Sequence, residues 1–444
     1  MTSEIIAEAS PTRKTTYAEL VKRREKMLAP TWAQDWPNLA VVRAEGIYLQ
    51  GLDGKRYMDF MSGFGVVSVG HNHPSVIAAA REQMEKQVHG AVGVTLHESA
   101  LRLAEMLPEI LPGRMDMFFF GNSGSEAVEG CIKLARNVTK KPGIIAFTGA
   151  FHGRTYGAAS LTASKAVYRT QLGPFLSDVY HVPFADVYHS SHPDDPEKCV
   201  NEAIGSLETV LKRLIAPSQV AAIIVEPIQG EGGYIVPPKT FLQRLREICS
   251  REDILLIFDE VWTGFGRTGE WFAAQAFDVI PDVMAVGKGI ASGFPLSAVC
   301  ARNELMSRWE PTVHGTTFGG NPISCAAAIA TIQTIQDEKL LANTKRVGEH
   351  LLRRLKELKG KYSVVGDVRG IGLMTALELI EPDSDRAPNP SAGKKVLNEA
   401  LSKGLLMYPC GLYGQAIRIA PPLITNTSQI DEAISILDRS LATI

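Results

Sequence analysis

From Met117 onward, short and mostly apolar runs alternate with longer stretches whose apolar residues recur every three or four positions. The runs are MFFF (117–120), GIIAF (143–147), VAAIIV (220–225), ILLIF (254–258), DVMAV (282–286) and PLSAV (295–299). Runs this short and this apolar suit strands buried on both faces, and helical stretches between them suit a largely parallel sheet covered by helices. The pattern predicts an α/β fold.

Elsewhere the rhythm differs. The N-terminal residues read as an arm, followed by a hairpin in GIYLQGLDGKRYMDF, where Asp53-Gly54 supplies the turn. From about Ser75 the spacing of Val76, Ile77, Ala80, Met84 and Val88 predicts a helix with one buried face. The polar stretch 184–199, with His189 and His192, reads as a surface loop rather than a metal site. Asn321-Pro322 marks a helix start. Strands near GLMTALEL and AIRIA and a last helix from Ser428 predict a smaller α+β domain. The expected division is 1–70 as a segment of the small domain, 71–330 as the large domain and 331–444 as the rest of the small domain.

Composition adds mainly exclusions. Among 444 residues, Lys and Arg number 46 against 48 Asp and Glu, so no excess charge points to nucleic acid or an anionic membrane. The six cysteines are scattered without a CxxC pair, which suggests reduced thiols in the cytoplasm. No apolar run reaches membrane-spanning length, and the first residues do not read as a signal peptide.

Three features carry chemistry. ILLIFDE drives an apolar strand into Asp259 and Glu260, which reads either as a solvated loop after a core strand or as an acid at the ligand-binding edge that meets a cationic partner. GNSGSEAVEGCIKLAR (121–136) is a small-residue turn feeding a helix, with Ser123 and Glu126 at capping-box spacing; its N–H groups suit a phosphate. AVGKG sets Lys288 just past the next strand. An acid for a pyridinium nitrogen, an amine for an aldehyde and a helix start for a phosphate together fit pyridoxal 5′-phosphate.

FFGNSGSEAVE, GAFHGRT, IIVEPIQGEGG, IFDEVWTGFGRTG, AVGKG, GTTFGGNP and IRIAPPL stand in the order and spacing of the class III, or ω-type, aminotransferases. The resemblance runs from about Gly46 to the C-terminus, with the N-terminal arm and the 184–199 loop outside it, and the chain looks similar to the 4-aminobutyrate enzymes. It implies the type I fold of pyridoxal-phosphate enzymes, with a mostly parallel seven-stranded sheet. It also implies that Lys288 forms the Schiff base and moves the substrate proton, with Asp259 keeping the pyridine nitrogen protonated. Gly124 and Ser125 match the phosphate-binding pair, Phe151 and Val261 the residues that sandwich the ring, and His152 an orienting neighbour. Thr317 matches a threonine that reaches the neighbouring subunit's phosphate, so a homodimer, or a dimer of dimers, with shared sites is implied.

For substrates, Arg418 matches the α-carboxylate site, and Glu231 the carboxylate that covers it when an ω-amine binds. Arg154 resembles a second arginine for a distal carboxylate, while Glu226 has a supporting place only. Two departures stand out: Trp262 replaces the glutamine usual in 4-aminobutyrate enzymes, and Phe64 a smaller aliphatic residue. Both make the pocket more aromatic and widen the expected range of amine donors, with pyruvate or 2-oxoglutarate as the acceptor. A racemase or epimerase on the same scaffold is the runner-up. A non-catalytic binding protein would need no Schiff-base lysine.

Overall fold

The computed structural model describes residues 15–32 and 39–444, so residues 1–14 of the anticipated arm lie outside it. The rest of that arm includes a helix, Tyr17–Met27, whose N-terminus Thr16 and Glu19 close with a capping box. The anticipated hairpin follows: β1 (Val41–Glu45), β2 (Tyr48–Gly51) and β3 (Arg56–Asp59) form an antiparallel meander. At its β2–β3 turn Gly54 has φ +82°, and Asp53 accepts hydrogen bonds from the Tyr57 hydroxyl at 2.6 Å and the Lys55 N–H at 3.1 Å.

The six apolar runs become β4 (Met117–Gly121), β5 (Gly143–Phe147), β7 (Val220–Val225), β8 (Leu255–Asp259), β9 (Val283–Val286) and β10 (Ser297–Ala301). With β6 (Val179–Val182) they make one seven-stranded sheet in the order β4-β10-β9-β8-β7-β5-β6. Only β10 runs antiparallel to its neighbours. β4 and β6 are the two edges and are mostly half-buried; β4 still carries the run MFFF, whereas in β6 the four-residue stretch VYHV is interrupted by His181.

Interior strands feed both faces of the sheet. Leu256 and Phe258 enter the larger core, whereas Ile257 between them points into a second core shared with the helix Gly124–Thr139. Each such fully buried side chain contributes about 1.5–3 kcal/mol relative to exposure. The parallel register also brings the ends of β5, β7, β8 and β9 to one edge, where the loops carrying functional groups emerge.

Two expectations need correction. The helix over Pro74–Lys86 buries Val76 and Ala80, but Met84 is exposed on it and Val88 is exposed beyond its end, so the buried face is shorter than the spacing suggested. The 184–199 stretch is not simply a surface loop. Phe184 and Ala185 are buried, and Asp195 caps a helix that begins at Pro196. Its histidines pair with carboxylates: His189 lies 2.7 Å from both Asp186 and Glu378, and His192 2.9 Å from Glu202.

After the helix Pro322–Asp337, whose Asn321 cap accepts from the N–H groups of Ile323 and Ser324, the chain builds a smaller sheet domain. Its strands are β11 (Val365–Ile371), β12 (Met374–Leu379), β13 (Leu405–Leu406), β14 (Tyr408–Cys410) and β15 (Ala416–Ile419). Four of them make the sheet β11-β12-β15-β14; β13 instead pairs in parallel with β3, tying the C-terminal part of the chain to the N-terminal meander. The closing helix is Thr427–Leu441.

Candidate active site

The acid at the end of β8 is buried and doubly held. One oxygen of Asp259 lies 2.8 Å from His152 Nδ1, and the other accepts the Val261 N–H at 3.1 Å. His152 reaches it from the loop after β5, and among the described residues its buried Nε2 has no hydrogen-bond partner. Glu226, just past β7, accepts the N–H groups of Phe151 at 2.8 Å and Gly230 at 2.9 Å. Burial pushes its carboxyl up to about 7, and the nearby Asp259 acts in the same direction.

Lys288 completes this edge. Its backbone is left-handed, with φ +42°, and its Nζ stands 3.9 Å from the centre of the Trp262 ring. Burial brings the amine down to about 8, against the opposing pull of Asp259 and Glu226. A lysine near 8 has a substantial neutral, nucleophilic fraction close to neutral pH.

Beside them the helix Gly124–Thr139 opens with Ser123 Oγ accepting the Glu126 N–H at 3.3 Å. The capping box is incomplete, because the Glu126 carboxylate reaches back to Asn122 instead, accepting its N–H at 2.9 Å and its side-chain amide at 2.8 Å. Ser125 Oγ accepts the Arg154 N–H at 3.0 Å, which pins the 151–155 loop to the helix start. The fit leaves no room for side chains: a Cβ on Gly124 would come 2.8 Å from Val261 Cγ1, and one on Gly153 would come 2.1 Å from Ser125 Oγ. Thr317 stands exposed in the 311–320 loop, and among the described residues no hydrogen bond or ion pair joins it to the Lys288 cluster. Its neighbour Thr316 accepts a hydrogen bond from Asn122 at 3.4 Å.

Across Trp262 lies a second centre of charge. Arg418, buried on β15, donates to Glu231 at 2.5 Å and to the Pro409 carbonyl at 2.9 Å. The rings of Tyr408, Trp262 and Tyr234 surround its guanidinium at 5.5, 5.6 and 5.9 Å. Burial opposes the charge on Arg418, but Glu231 outweighs it and holds the arginine well above its ordinary value. Burial likewise opposes the charge on Glu231, yet Arg418 and Lys165 bring its carboxyl down to about 2. Phe64 is 41% exposed, with its ring 4.8 Å from that of Tyr408. Arg154 is exposed, lying 4.3 Å over the Tyr168 ring and 5.7 Å from that of Phe151.

The structure therefore gathers Asp259, His152, Val261, Glu226, Lys288 and Trp262 at one edge, with Gly124, Ser125 and Phe151 against it and Glu231 and Arg418 opposite. Sequence reasoning missed Lys165 and Tyr168, both bound to Glu231, and the aromatic pair Tyr234 and Tyr408. The i, i+3 spacing of Lys165 and Tyr168 was the available signal, and it is faint.

A family model described as "Aminotransferase class-III" matches residues 30–441. The chain is 40% identical to a 5-aminovalerate aminotransferase of Pseudomonas putida, with 88% of this chain and 91% of that protein covered. It is 37% identical to an alanine/serine racemase of Pyrococcus horikoshii, over 95% of this chain and 90% of that one. A PLP-bound amine transaminase from an uncultivated Pseudomonas species superposes with a TM-score of 0.88 at 32% identity, covering 94% of this chain and 98% of that one. With these likenesses spanning nearly its whole length, the chain belongs to the class-III aminotransferases, enzymes of the type I pyridoxal-phosphate fold.

Proposed function

We propose that this chain moves an amino group from an ω-amino acid or a simple amine, of the 4-aminobutyrate and 5-aminovalerate kind, to 2-oxoglutarate or pyruvate. The observation that carries this reading is the pairing of the buried Arg418 with the half-buried Glu231 beside Trp262, whose ring also meets Lys288. An enzyme that takes both an amine without an α-carboxylate and a 2-oxo acid needs an arginine that can be offered or hidden. An enzyme that handles α-amino acids alone has no use for the cover.

The residues fit the cofactor. The helix start at Gly124 and Ser125 is bare of bulk, Asp259 is buried and fixed, and His152 Nε2 is buried without a partner among the described residues. When bound, pyridoxal phosphate supplies an aldehyde that accepts amines and an electron-poor ring that stores the electron pair of the cleaved bond. Gly124 and Ser125 would hold its phosphate, aided by the helix N-terminus, and Phe151 and Val261 would flank its ring. Asp259, oriented by His152, would retain the proton on the ring nitrogen. Lys288 is the amine for the aldehyde and afterwards the base, taking and returning the substrate's proton at Nζ. Glu226 supports the site by fixing the backbone of Phe151 and Gly230. Arg154 would meet a distal carboxylate, while Phe64 and Trp262 would shape the donor pocket.

We further infer a homodimer in which the exposed Thr317 reaches the phosphate of the other copy, and a small domain built from residues 1–70 and 331–444, as the pairing of β13 with β3 suggests. Among the described residues no helix is long and apolar enough to cross a membrane, and all six cysteines are buried thiols, which suits a reducing cytoplasm.

The test is a set of half-reactions of holoprotein with ω-amino acids, α-amino acids and simple amines, followed through the visible absorption of the cofactor. Loss of the visible band with ω-amino donors and its return with a 2-oxo acid are expected; no response to any donor would refute the reading. Racemisation is the second reading, favoured by the alanine/serine racemase likeness. Inversion of L-alanine without acceptor and without keto acid would establish it in place of transamination.

A further inference from the structure

Resting on the reading of Arg418 as the carboxylate site, we infer that Lys165 and Tyr168 form a standing dock for Glu231. The dock lets Glu231 leave Arg418 without losing its charge partner, and so sets how readily the chain accepts α-carboxylate substrates.

The two carboxylate oxygens of Glu231 are divided between two sets of partners. Oε2 accepts from Arg418 at 2.5 Å; Oε1 accepts from Lys165 Nζ at 2.8 Å and from the Tyr168 hydroxyl at 2.9 Å. Lys165 is itself partly buried, its side chain 21% exposed and that of Glu231 16%, so neither charge is fully solvated. When a substrate carboxylate takes Arg418, a Glu231 with no other partner would become an uncompensated carboxylate in a poorly solvated place, and such charges are strongly disfavoured. The Oε1 contacts remove most of that cost. Opening then needs only a pivot about Oε1, with Oε2 giving up one bond.

Tyr168 adds a geometric constraint. Its ring lies under the Arg154 guanidinium at 4.3 Å and meets Phe151 edge-on at 5.4 Å, so the hydroxyl is aimed by a packed ring. Lys165 and Tyr168 are thus positioning residues that act through Glu231. Lys165 binds Glu231 both closed and open, but in the closed state Arg418 remains as a second cation. Loss of Lys165 therefore penalises the open state more, and the defect falls on substrates that need Arg418.

The experiment compares wild type, Lys165→Met, Lys165→Arg and Tyr168→Phe as holoproteins. Half-reactions with L-alanine report the open state, and those with a simple amine lacking any carboxylate report the closed one. Affinity for isobutyrate, a single unreactive carboxylate, is measured by calorimetry. Lys165→Met should lower kcat/KM for L-alanine by about tenfold or more and weaken isobutyrate to a similar degree, leaving the amine within about twofold. Tyr168→Phe should act in the same direction by less, and Lys165→Arg should restore both readouts. Parallel loss for alanine and amine, or no change in their ratio, would overturn the dock. If wild type reacts with no donor, the transaminase reading fails. Isobutyrate binding then still decides the dock, since it requires only Arg418 and Glu231.

Discussion

At the sheet edge Asp259 is held by one histidine and one backbone N–H, whereas Glu231, on the far side of Trp262, is held by two cations and a phenol. The first carboxylate belongs to a fixed framework. Its partners come from the ends of parallel strands and the loops that leave them, where a side chain has little freedom. The second belongs to an exchange of ion pairs between the large sheet's loops and β15 of the smaller sheet. Burial acts on both ends but with different outcomes: it brings the Lys288 amine down to about 8, while Arg418 and Lys165 overcome it at Glu231 and carry that carboxyl down to about 2. On the proposed reading, one end keeps its chemistry constant and the other changes partners with the substrate.

The largest expected effect tests the fixed end. On the proposed function, Lys288→Ala removes both the amine for the cofactor and the proton carrier, and turnover should fall by more than about 10⁴-fold. Borohydride treatment of wild-type holoprotein followed by peptide mass analysis should find the cofactor on Lys288. Its appearance on another lysine would dissolve the contrast between the two ends.

Next in size is Arg418→Met at the exchanging end. Losing a buried, charge-assisted contact to a carboxylate costs about 2–4 kcal/mol, so kcat/KM for 2-oxo acids and α-amino acids should drop by roughly 30- to 1,000-fold. Simple amines should be affected far less, because Glu231 retains Lys165. An equal loss for both classes would show that Arg418 supports the pocket rather than sorting substrates.

A smaller effect belongs to His152→Ala. Asp259 would keep only the Val261 N–H, and cofactor affinity should weaken by about tenfold, measured by equilibrium titration of the cofactor-free protein. A change below about twofold would mean that the carboxylate is oriented by its backbone contact alone.

The same contrast explains what could be read from the sequence. The six apolar strands, five of them buried and β4 a half-buried edge, the Asp53-Gly54 turn and the Asn321 cap follow from local patterns, and Asp259, Lys288, Gly124 and Ser125 sit inside contiguous motifs at strand ends or the helix start. β6 escaped because its four residues, VYHV, are broken by His181. The dock escaped because its parts are remote: Lys165 precedes Glu231 by 66 residues and Tyr168 by 63. No periodicity links such positions, and only the folded chain brings them together. Glu126 was read as half of a capping box, but Asn122 offered it two donors and took the carboxylate.

The smallest expected effect concerns protons at the fixed end. In the cofactor-free protein burial brings the Lys288 amine down to about 8, against an ordinary value of 10.5, because it disfavours the charged form. Its neutral fraction therefore grows as pH rises through about 8, and the rate of reconstitution with pyridoxal phosphate should climb about tenfold from pH 7 to pH 9 and then level off. The stability linkage has the same sign. Between about 8 and 10.5 the unfolded chain binds a proton at this lysine that the folded chain does not, so the cofactor-free protein should gain stability with rising pH across that window. Lys288→Met should flatten both profiles. A reconstitution rate that keeps rising in proportion to hydroxide past pH 10 would place the amine in an ordinary, solvated setting. The sheet edge would then be no more insulated from water than the exchanging pair across Trp262.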